Sequence, residues 1–404
     1  VDEEVMLAVA DALHLVLQHS YPAAPAIISP LTDALGLVLA EDVASDLDMP
    51  PFDKALMDGY AVRRDDLTGD ATELPVAGEV MAGHLAGPLP QGQAIRIMTG
   101  APIPEGADAV VRMEHAKPLE GGRVRLESGK PKFGHFILRR GAEMTTGQVV
   151  LKTGTELRPQ HIGLLASVGR RSVKAVPAPS IAILATGDEL VEPSEKPGPG
   201  QLRNSNGPML EAQALRAGAV PTYLGIARDE PAALQAMIEE GMKSPILALA
   251  GGVSMGDRDL VPEVLKKIGV ESHVYKVAMK PGKPFYFGTR ANTLVFGLPG
   301  NPVSSFCCFE LFVRPTMRKV AGRADPGPNW RYLPLAEDVV HSSERPTYHP
   351  AVRETWDRGE YVRPVPWFGS PDLRGLAKAD SLLLLPAGSH TLAAGMPMPV
   401  LALD

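Results

Sequence analysis

The sequence predicts a multidomain protein that joins a three-layer α/β domain, built on a mostly parallel sheet, to domains made almost wholly of β structure. Three observations predict it. Between about residues 181 and 320, apolar runs of strand character alternate with amphipathic helical patterns, which is the signature of a parallel sheet covered by helices on both faces. From Ser45 to about residue 144, glycine and proline recur every few residues and short strand patterns alternate with turns. From about residue 327 the same β-rich, proline-rich character returns, as in a small barrel or sandwich.

Taken in order, residues 2–18 place Val5, Val9, Leu13, Val16 and Leu17 on one helical face, with acidic residues in the first turn, and Pro22 and Pro25 end the pattern. The segment to residue 43 is short and mixed, with Gly36 splitting a helical turn from a β-rich run. Strands are expected at 76–80, 94–98 and 109–111 in the glycine-rich stretch that follows. Two of its loops combine chemistry with turn residues: Met57-Asp58-Gly59-Tyr60, an acid beside a glycine at the start of a strand, and Arg96-Ile97-Met98-Thr99-Gly100, a strand ending in Thr-Gly. Each alone reads as an ordinary turn. Beyond Arg139-Arg140-Gly141-Ala142-Glu143 a helix is expected over 159–168, and Pro177 and Pro179 mark a linker. The α/β pattern then gives strands at 181–185, 222–226, 246–250 and 294–296 and helices at 208–216, 231–241 and 260–268. Strands at 381–385 and 400–403 close the chain.

In such a sheet, ligands bind beyond the carboxyl ends of the strands. The loops expected there are Thr186-Gly187-Asp188-Glu189, Arg228-Asp229, Gly251 to Asp259 and Pro299-Gly300-Asn301-Pro302, each glycine-rich, acidic or both. Between the last two, Lys276 to Pro284 sets Lys276, Lys280 and Lys283 around a Pro-Gly turn. Glycine loops such as Gly251-Gly252-Val253-Ser254 let backbone N–H groups approach an anion, lysines neutralise phosphate, and carboxylates hold a divalent metal. Together they describe a site for a phosphorylated ligand with a metal ion.

Composition removes several classes. A net charge of −7 argues against a general nucleic-acid binder. The two cysteines, Cys307 and Cys308, are adjacent in a helical pattern and have neither disulfide nor metal-ligand spacing. No apolar run approaches a membrane span and no signal peptide precedes the first helical pattern, so the expected location is the cytoplasm, with no membrane partner. Gly252-Val253-Ser254-Met255-Gly256 matches the nucleophile elbow of serine hydrolases, but its loop continues through Asp257-Arg258-Asp259 before any helix. The late histidines His341, His349 and His390 fall in the separate C-terminal region. No Walker A sequence, dinucleotide fingerprint or zinc spacing occurs.

Met57-Asp58-Gly59-Tyr60-Ala61-Val62, Arg96 to Pro102, Thr186-Gly187-Asp188-Glu189-Leu190, Gly251 to Gly256, Lys280-Pro281-Gly282-Lys283-Pro284 and Gly297 to Ser304 together resemble the molybdopterin molybdenumtransferase family, MoeA in bacteria and the gephyrin E domain in animals. The ordered set spans nearly the whole chain. The resemblance implies an α/β domain of the molybdopterin-binding type (residues 1–21 and 177–326), an elongated linking domain (22–45 and 147–176), an inserted β domain (46–146) and a C-terminal β barrel (327–404). It implies insertion of molybdate into adenylylated molybdopterin, assisted by Mg²⁺, with release of AMP. Asp58, Thr99, Glu189, Asp229, Asp259, Lys276 and Lys280 would be catalytic, with Glu189, Asp229 and Asp259 as the metal carboxylates. Gly251, Gly252, Ser254, Lys283, Pro299, Pro302, Arg139 and, by a looser match, Ser370 would bind substrate. Leu138 and Glu143 depart from the family's arginine and aspartate. The resemblance further implies a homodimer whose clefts combine two subunits, and a handover from the pathway's adenylyltransferase. Two alternatives share the fold: a gephyrin-like scaffold, and the adenylyltransferase itself, whose single domain resembles residues 180–320.

Overall fold

The computed structural model describes residues 6–21, 24–253, 260–357 and 359–403. Its largest sheet has six strands: β1 (Ser180–Thr186), β2 (Val220–Ala227), β3 (Ile246–Ala250), β4 (Glu271–Tyr275), β5 (Tyr286–Arg290) and β6 (Thr293–Leu298), in the order β2-β1-β3-β6-β5-β4. The first four in that order are mutually parallel, whereas β5 runs antiparallel to β6 and β4 antiparallel to β5.

Alternation along the central strands divides the core in two. Ile181, Ile183, Ile246, Ala248, Leu294 and Phe296 face α1 (Val9–Gln18), α2 (Asn206–Arg216) and the helical run from Pro302 to Val320. Ala182, Leu184, Leu247, Leu249 and Val295 face α3 (Pro231–Gly241) and α4 (Leu260–Lys267). A strand's period of two thus feeds both faces, which is why the central strands read as unbroken apolar runs. All five residues of β3 are at most 1% exposed. The run from Pro302 passes through one π-helical segment, Phe309–Val313, where the buried Glu310 receives Gln213, Arg216 and Arg314.

One expectation is corrected here. Among the described residues the first helix begins at Val9, and residues 6–8 lie outside it. Its N-cap residue, Ala8, offers no side chain to the unpaired N–H groups, and Leu7 instead pairs with Val277. The stretch holding the lysines is also bracketed by two strands, β4 and β5, for which the sequence gives no expectation.

The inserted region has a six-stranded sheet in the spatial order Ala109–Arg112, Gly59–Val62, Ala94–Ile97, Thr72–Val80, Arg123–Leu126, Ala116–Leu119, with a separate apolar cluster on each face. Between it and the α/β domain lies a slender unit, a three-stranded sheet with the helix Pro159–Ser167 and its own small core. Arg323 pairs with Glu156 to join this unit to the end of the helical run. The C-terminal strands Trp330–Pro334, Pro397–Ala402, Ser381–Leu385, Thr347–Trp356 and Gly359–Pro364 pair in that order. A bridge between Leu335 and Val362 brings the two edges together, so the sheet closes as a barrel.

Candidate active site

The carboxyl edge of the large sheet collects most of the residues singled out in the sequence. β1 ends at Thr186, whose side chain is 3% exposed. Gly187 follows at φ 143°, a backbone conformation that strains a residue with a side chain, and the Glu189 carboxylate folds back to 2.5 Å from where a Cβ on Gly187 would stand. Beside it, β2 ends at Ala227 and leads to Asp229. The Asp229 N–H donates to Asp188 Oδ1 (3.1 Å) and the Asp188 N–H to Asp229 Oδ2 (3.4 Å), a reciprocal pair that fixes both loops against each other. Arg228 donates to the carbonyls of Asp188 and Leu190, bracing the same turn.

After β3, Gly251 (φ 106°) and Gly252 (φ 64°) turn the chain across Thr186. A Cβ on Gly251 would meet the Thr186 carbonyl oxygen at 2.6 Å. The loop then leaves the described residues: Ser254 and Asp259 lie outside them. After β6, Pro299-Gly300-Asn301-Pro302 sits against Gly251 and is held by Asn206, whose Nδ2 donates to the Gly300 carbonyl at 2.8 Å. These loops enclose a cleft of about 680 Å³ lined by Glu189, Gly252, Pro284, Pro299, Pro302 and Pro371, among others.

The lysines reach this edge through two reversals. Because β5 opposes β6 and β4 opposes β5, β4 points the same way as the parallel strands, and Lys276 follows its last residue. Lys276 holds φ 139°, an uncommon value for a residue with a side chain, with its Nζ 5.7 Å from the Tyr275 ring centroid. Lys280 is exposed, but its backbone is locked to the barrel: its N–H donates to Pro346 and its carbonyl accepts from Tyr348 (2.7 Å). Arg345 also donates to the Met279 carbonyl at 2.7 Å. Lys283 is exposed at the end of the turn. Ser370 reaches the same neighbourhood through its backbone, its carbonyl accepting from Val303 (3.0 Å).

Asp58 and Thr99 meet in the inserted domain. The Thr99 N–H and Oγ1 both donate to Asp58 Oδ1 at 2.7 Å, and these bonds hold the carboxyl below the usual carboxylate range. Gly59 explains the placement, since a Cβ there would lie 2.0 Å from the Val111 carbonyl oxygen. The strand therefore packs at full closeness directly after Asp58. Arg139 pairs with Asp53 and stacks its guanidinium on Phe133 (5.1 Å), whereas Arg140 takes Asp48. Of the departing positions, Leu138 pairs in a short strand with Lys54, and Glu143 makes an ion pair with the same Lys54 at 3.3 Å. Both have structural partners within the domain.

The sequence reading passed over four side chains that shape this site. Asp188 lay inside a quoted motif, yet its reciprocal bond with Asp229 depends on a neighbouring strand. Asn204, one residue before the N-cap Ser205, accepts the Gly207 N–H in the first turn of α2 (3.0 Å), a signal legible as an Asn just ahead of a helix. Asn206 and Arg345 carry no local signal, because both act on loops far away in sequence. Among the described residues no three acidic, histidine or cysteine side chains gather closely enough to hold a metal. Glu189 and Asp229 supply hard oxygen donors at adjacent strand ends, the ligand type that suits Mg²⁺.

Comparison with known proteins agrees with this geometry. Residues 7–169 match the family "MoeA N-terminal region (domain I and II)", residues 182–319 the family "Probable molybdopterin binding domain", and residues 332–403 "MoeA C-terminal region (domain IV)". A molybdopterin molybdenumtransferase of Bacillus subtilis (strain 168) is 36% identical over 379 residues, 92% of this chain and 88% of that protein. One from Staphylococcus aureus (strain Mu50 / ATCC 700699) is 34% identical over 383 residues, covering 93% and 91%. The crystal structure of the molybdopterin biosynthesis MoeA protein from Pyrococcus horikoshii OT3 superposes with a TM-score of 0.83 at 28% identity, over 98% of this chain and 100% of that one. With the same three modules in the same order and the sheet-edge loops in place, the chain belongs to the molybdopterin molybdenumtransferase family, transferases of molybdenum cofactor biosynthesis.

Proposed function

We propose that this chain inserts molybdate into adenylylated molybdopterin and releases AMP, as a cytoplasmic, Mg²⁺-dependent homodimer. The observation that carries the reading is the cleft itself. Glu189 and Arg203 line it together with Pro284, the residue that follows Lys283, so one carboxylate, one guanidinium and the end of the lysine turn border one space of about 680 Å³. That combination suits a substrate with a pyrophosphate to be neutralised and a metal to be held. Lys276, Lys280 and Lys283 bind the pyrophosphate and the molybdate oxyanion by charge. Gly251 and Gly252 bring the backbone close to the ligand, and Pro299 and Pro302 stiffen the opposite wall. Glu189, Asp229 and Asp259 would hold Mg²⁺, which supplies positive charge to the phosphoryl oxygens when bound. The adenylylated substrate must come from an adenylyl-transferring enzyme, and direct handover from it fits an open cleft.

Asp58, Thr99 and Arg139 sit on the inserted domain, whose polar contacts close on itself: Asp58 with Thr99, Arg139 with Asp53, Arg140 with Asp48. In a two-fold dimer this surface would complete the partner's cleft. The test is AMP release from adenylylated molybdopterin with molybdate and Mg²⁺, run on mixed dimers of Asp58→Ala and Asp229→Ala chains. Random pairing of two inactive chains should restore about a quarter of wild-type activity, because half the dimers then hold one intact cleft. Mixed dimers that stay inactive would mean that each site is built within a single chain. Wild-type protein that releases no AMP would favour the scaffold reading.

A further inference from the structure

We propose that Phe368 is a stacking platform for a planar heterocycle of the substrate, the adenine or the pterin ring. The inference rests on the cleft being the substrate site. Phe368 is 82% exposed, the most of any phenylalanine among the described residues, yet it does not sit on a loose loop. Its N–H donates to Asp372 Oδ2 at 3.1 Å, while Asp372 Oδ1 caps the helix Leu373–Leu376 by accepting the Gly375 N–H at 3.0 Å. These two bonds hold the Asp372 carboxyl below the usual carboxylate range. The Asp372 N–H returns to the Gly369 carbonyl at 3.0 Å, and the Ser370 carbonyl accepts the Val303 N–H. On the other side, Trp367 is fixed edge-on against His349, ring centroids 5.2 Å apart. The Phe368 backbone and the residues on both sides of it are therefore held, and the ring stands out into solvent from that held segment.

The frame forms the cleft's rim. Pro371 and Leu373, three and five positions further on, line the same cleft as Glu189, Gly252 and Pro302. No aromatic residue is among those lining it, so the walls offer prolines, glycines and asparagines but no π-face. A substrate with two flat heterocycles needs one to be recognised as a plane, and a rigid exposed aromatic does so at little ordering cost. Phe368, bonded through its N–H to the residue between Pro371 and Leu373, is an exposed aromatic next to that rim.

The test uses the full chain and equilibrium binding of three probes: AMP, ribose 5-phosphate, which lacks the base, and 6-hydroxymethylpterin, which lacks the phosphate. Phe368→Ala should weaken binding of AMP or of the pterin about tenfold, leave ribose 5-phosphate unchanged, and leave the melting temperature unmoved. Phe368→Tyr should bind as the wild type does. The ligand that loses affinity identifies the stacked ring. Unchanged affinity for both AMP and the pterin in Phe368→Ala overturns the proposal and leaves the ring for a protein partner. Wild-type protein that binds neither ring overturns the reading of the cleft, and this inference with it.

Discussion

Gly251 is the position where fold and site depend most directly on a missing methyl group, and Gly251→Ala tests that dependence. The new Cβ would stand 2.6 Å from the Thr186 carbonyl oxygen and 2.9 Å from Thr186 Oγ1, and the first of these contacts is with backbone. Ordinary contact begins some tenths of an ångström further out, so β3's terminal loop must move away from β1. The residue also has φ 106°, where an L side chain is strained. That strain costs about 1–3 kcal/mol, and overpacking a fixed site adds roughly 1–3 kcal/mol. Together they predict a loss of about 2–6 kcal/mol in urea unfolding. Gly218→Ala is the control. It has φ 80° and nothing within 4 Å of its would-be Cβ, so it carries the backbone strain alone. The Gly251 N–H donates to the Leu298 carbonyl (3.0 Å), just ahead of Pro299, so the displacement also reaches the opposite wall of the cleft. AMP release should fall by about a hundredfold, the cost of misplacing a reacting group by roughly an ångström. Equal destabilisation by the two substitutions would refute the steric argument.

Glu310→Ala should lower stability by about 3–5 kcal/mol, because it strands Arg216 and Arg314 beside a buried hole. Urea unfolding of Glu310→Ala, compared with a variant that replaces Glu310, Arg216 and Arg314 together by apolar residues, checks whether the stranded charges are the cause. The second variant should recover much of the loss. Burial holds His341 and His349 below the usual histidine range; Lys280 and His390, which faces it from the paired strand, add repulsion at His341, and His341 and Lys280 add it at His349, opposed there by the Pro350 carbonyl. A histidine depressed in the fold binds protons more readily when unfolded. Its full stability therefore holds above the unfolded pKa, about 6.5, and is lost as pH falls below it. Replacing His349 by Phe should flatten the acid limb of the stability profile below about pH 6.5. An unchanged limb would show that His349 does not titrate with unfolding.

The central parallel strands are legible because burial on both faces leaves runs such as Ile246-Leu247-Ala248-Leu249-Ala250 with no polar residue to blur them. Their carboxyl-end loops could be named at once, since a sheet rule places them together without any side-chain detail. β4 and β5 were not legible. Edge strand β4 carries Glu271, Ser272 and His273, a mixture with little apolar alternation, and β5 follows directly on Lys-Pro-Gly-Lys-Pro, which punctuates like a loop. Asp58 and Thr99 were each marked by a glycine neighbour, but their bond joins residues 41 apart and is set by pairing of Gly59–Val62 with Ala94–Ile97. Asn206 and Arg345 show the limit more plainly: each holds a carbonyl of a remote loop, and nothing local distinguishes such a residue from any polar surface residue.

The hairpin of β4 and β5 is also what brings the lysine loop to the carboxyl edge of the sheet. Were β4 absent, the chain leaving α4 would enter β5 from the carboxyl edge with no strand to carry Lys276 there, and the lysines would lie on an untethered crossover. With β4 running alongside the parallel strands, Lys276 emerges where Asp229 and Glu189 emerge, and β5 takes the chain back only after Lys283. The turn between them is then gripped from outside by the barrel, through Lys280 to Pro346 and Tyr348 and through Arg345 to Met279. A flexible lysine segment would lose much of its charge's value to ordering on ligand binding. Here that ordering is done by the fold before a ligand arrives. The C-terminal barrel therefore contributes to the site by fixing the position of the cations, whether or not any of its own side chains touches the substrate.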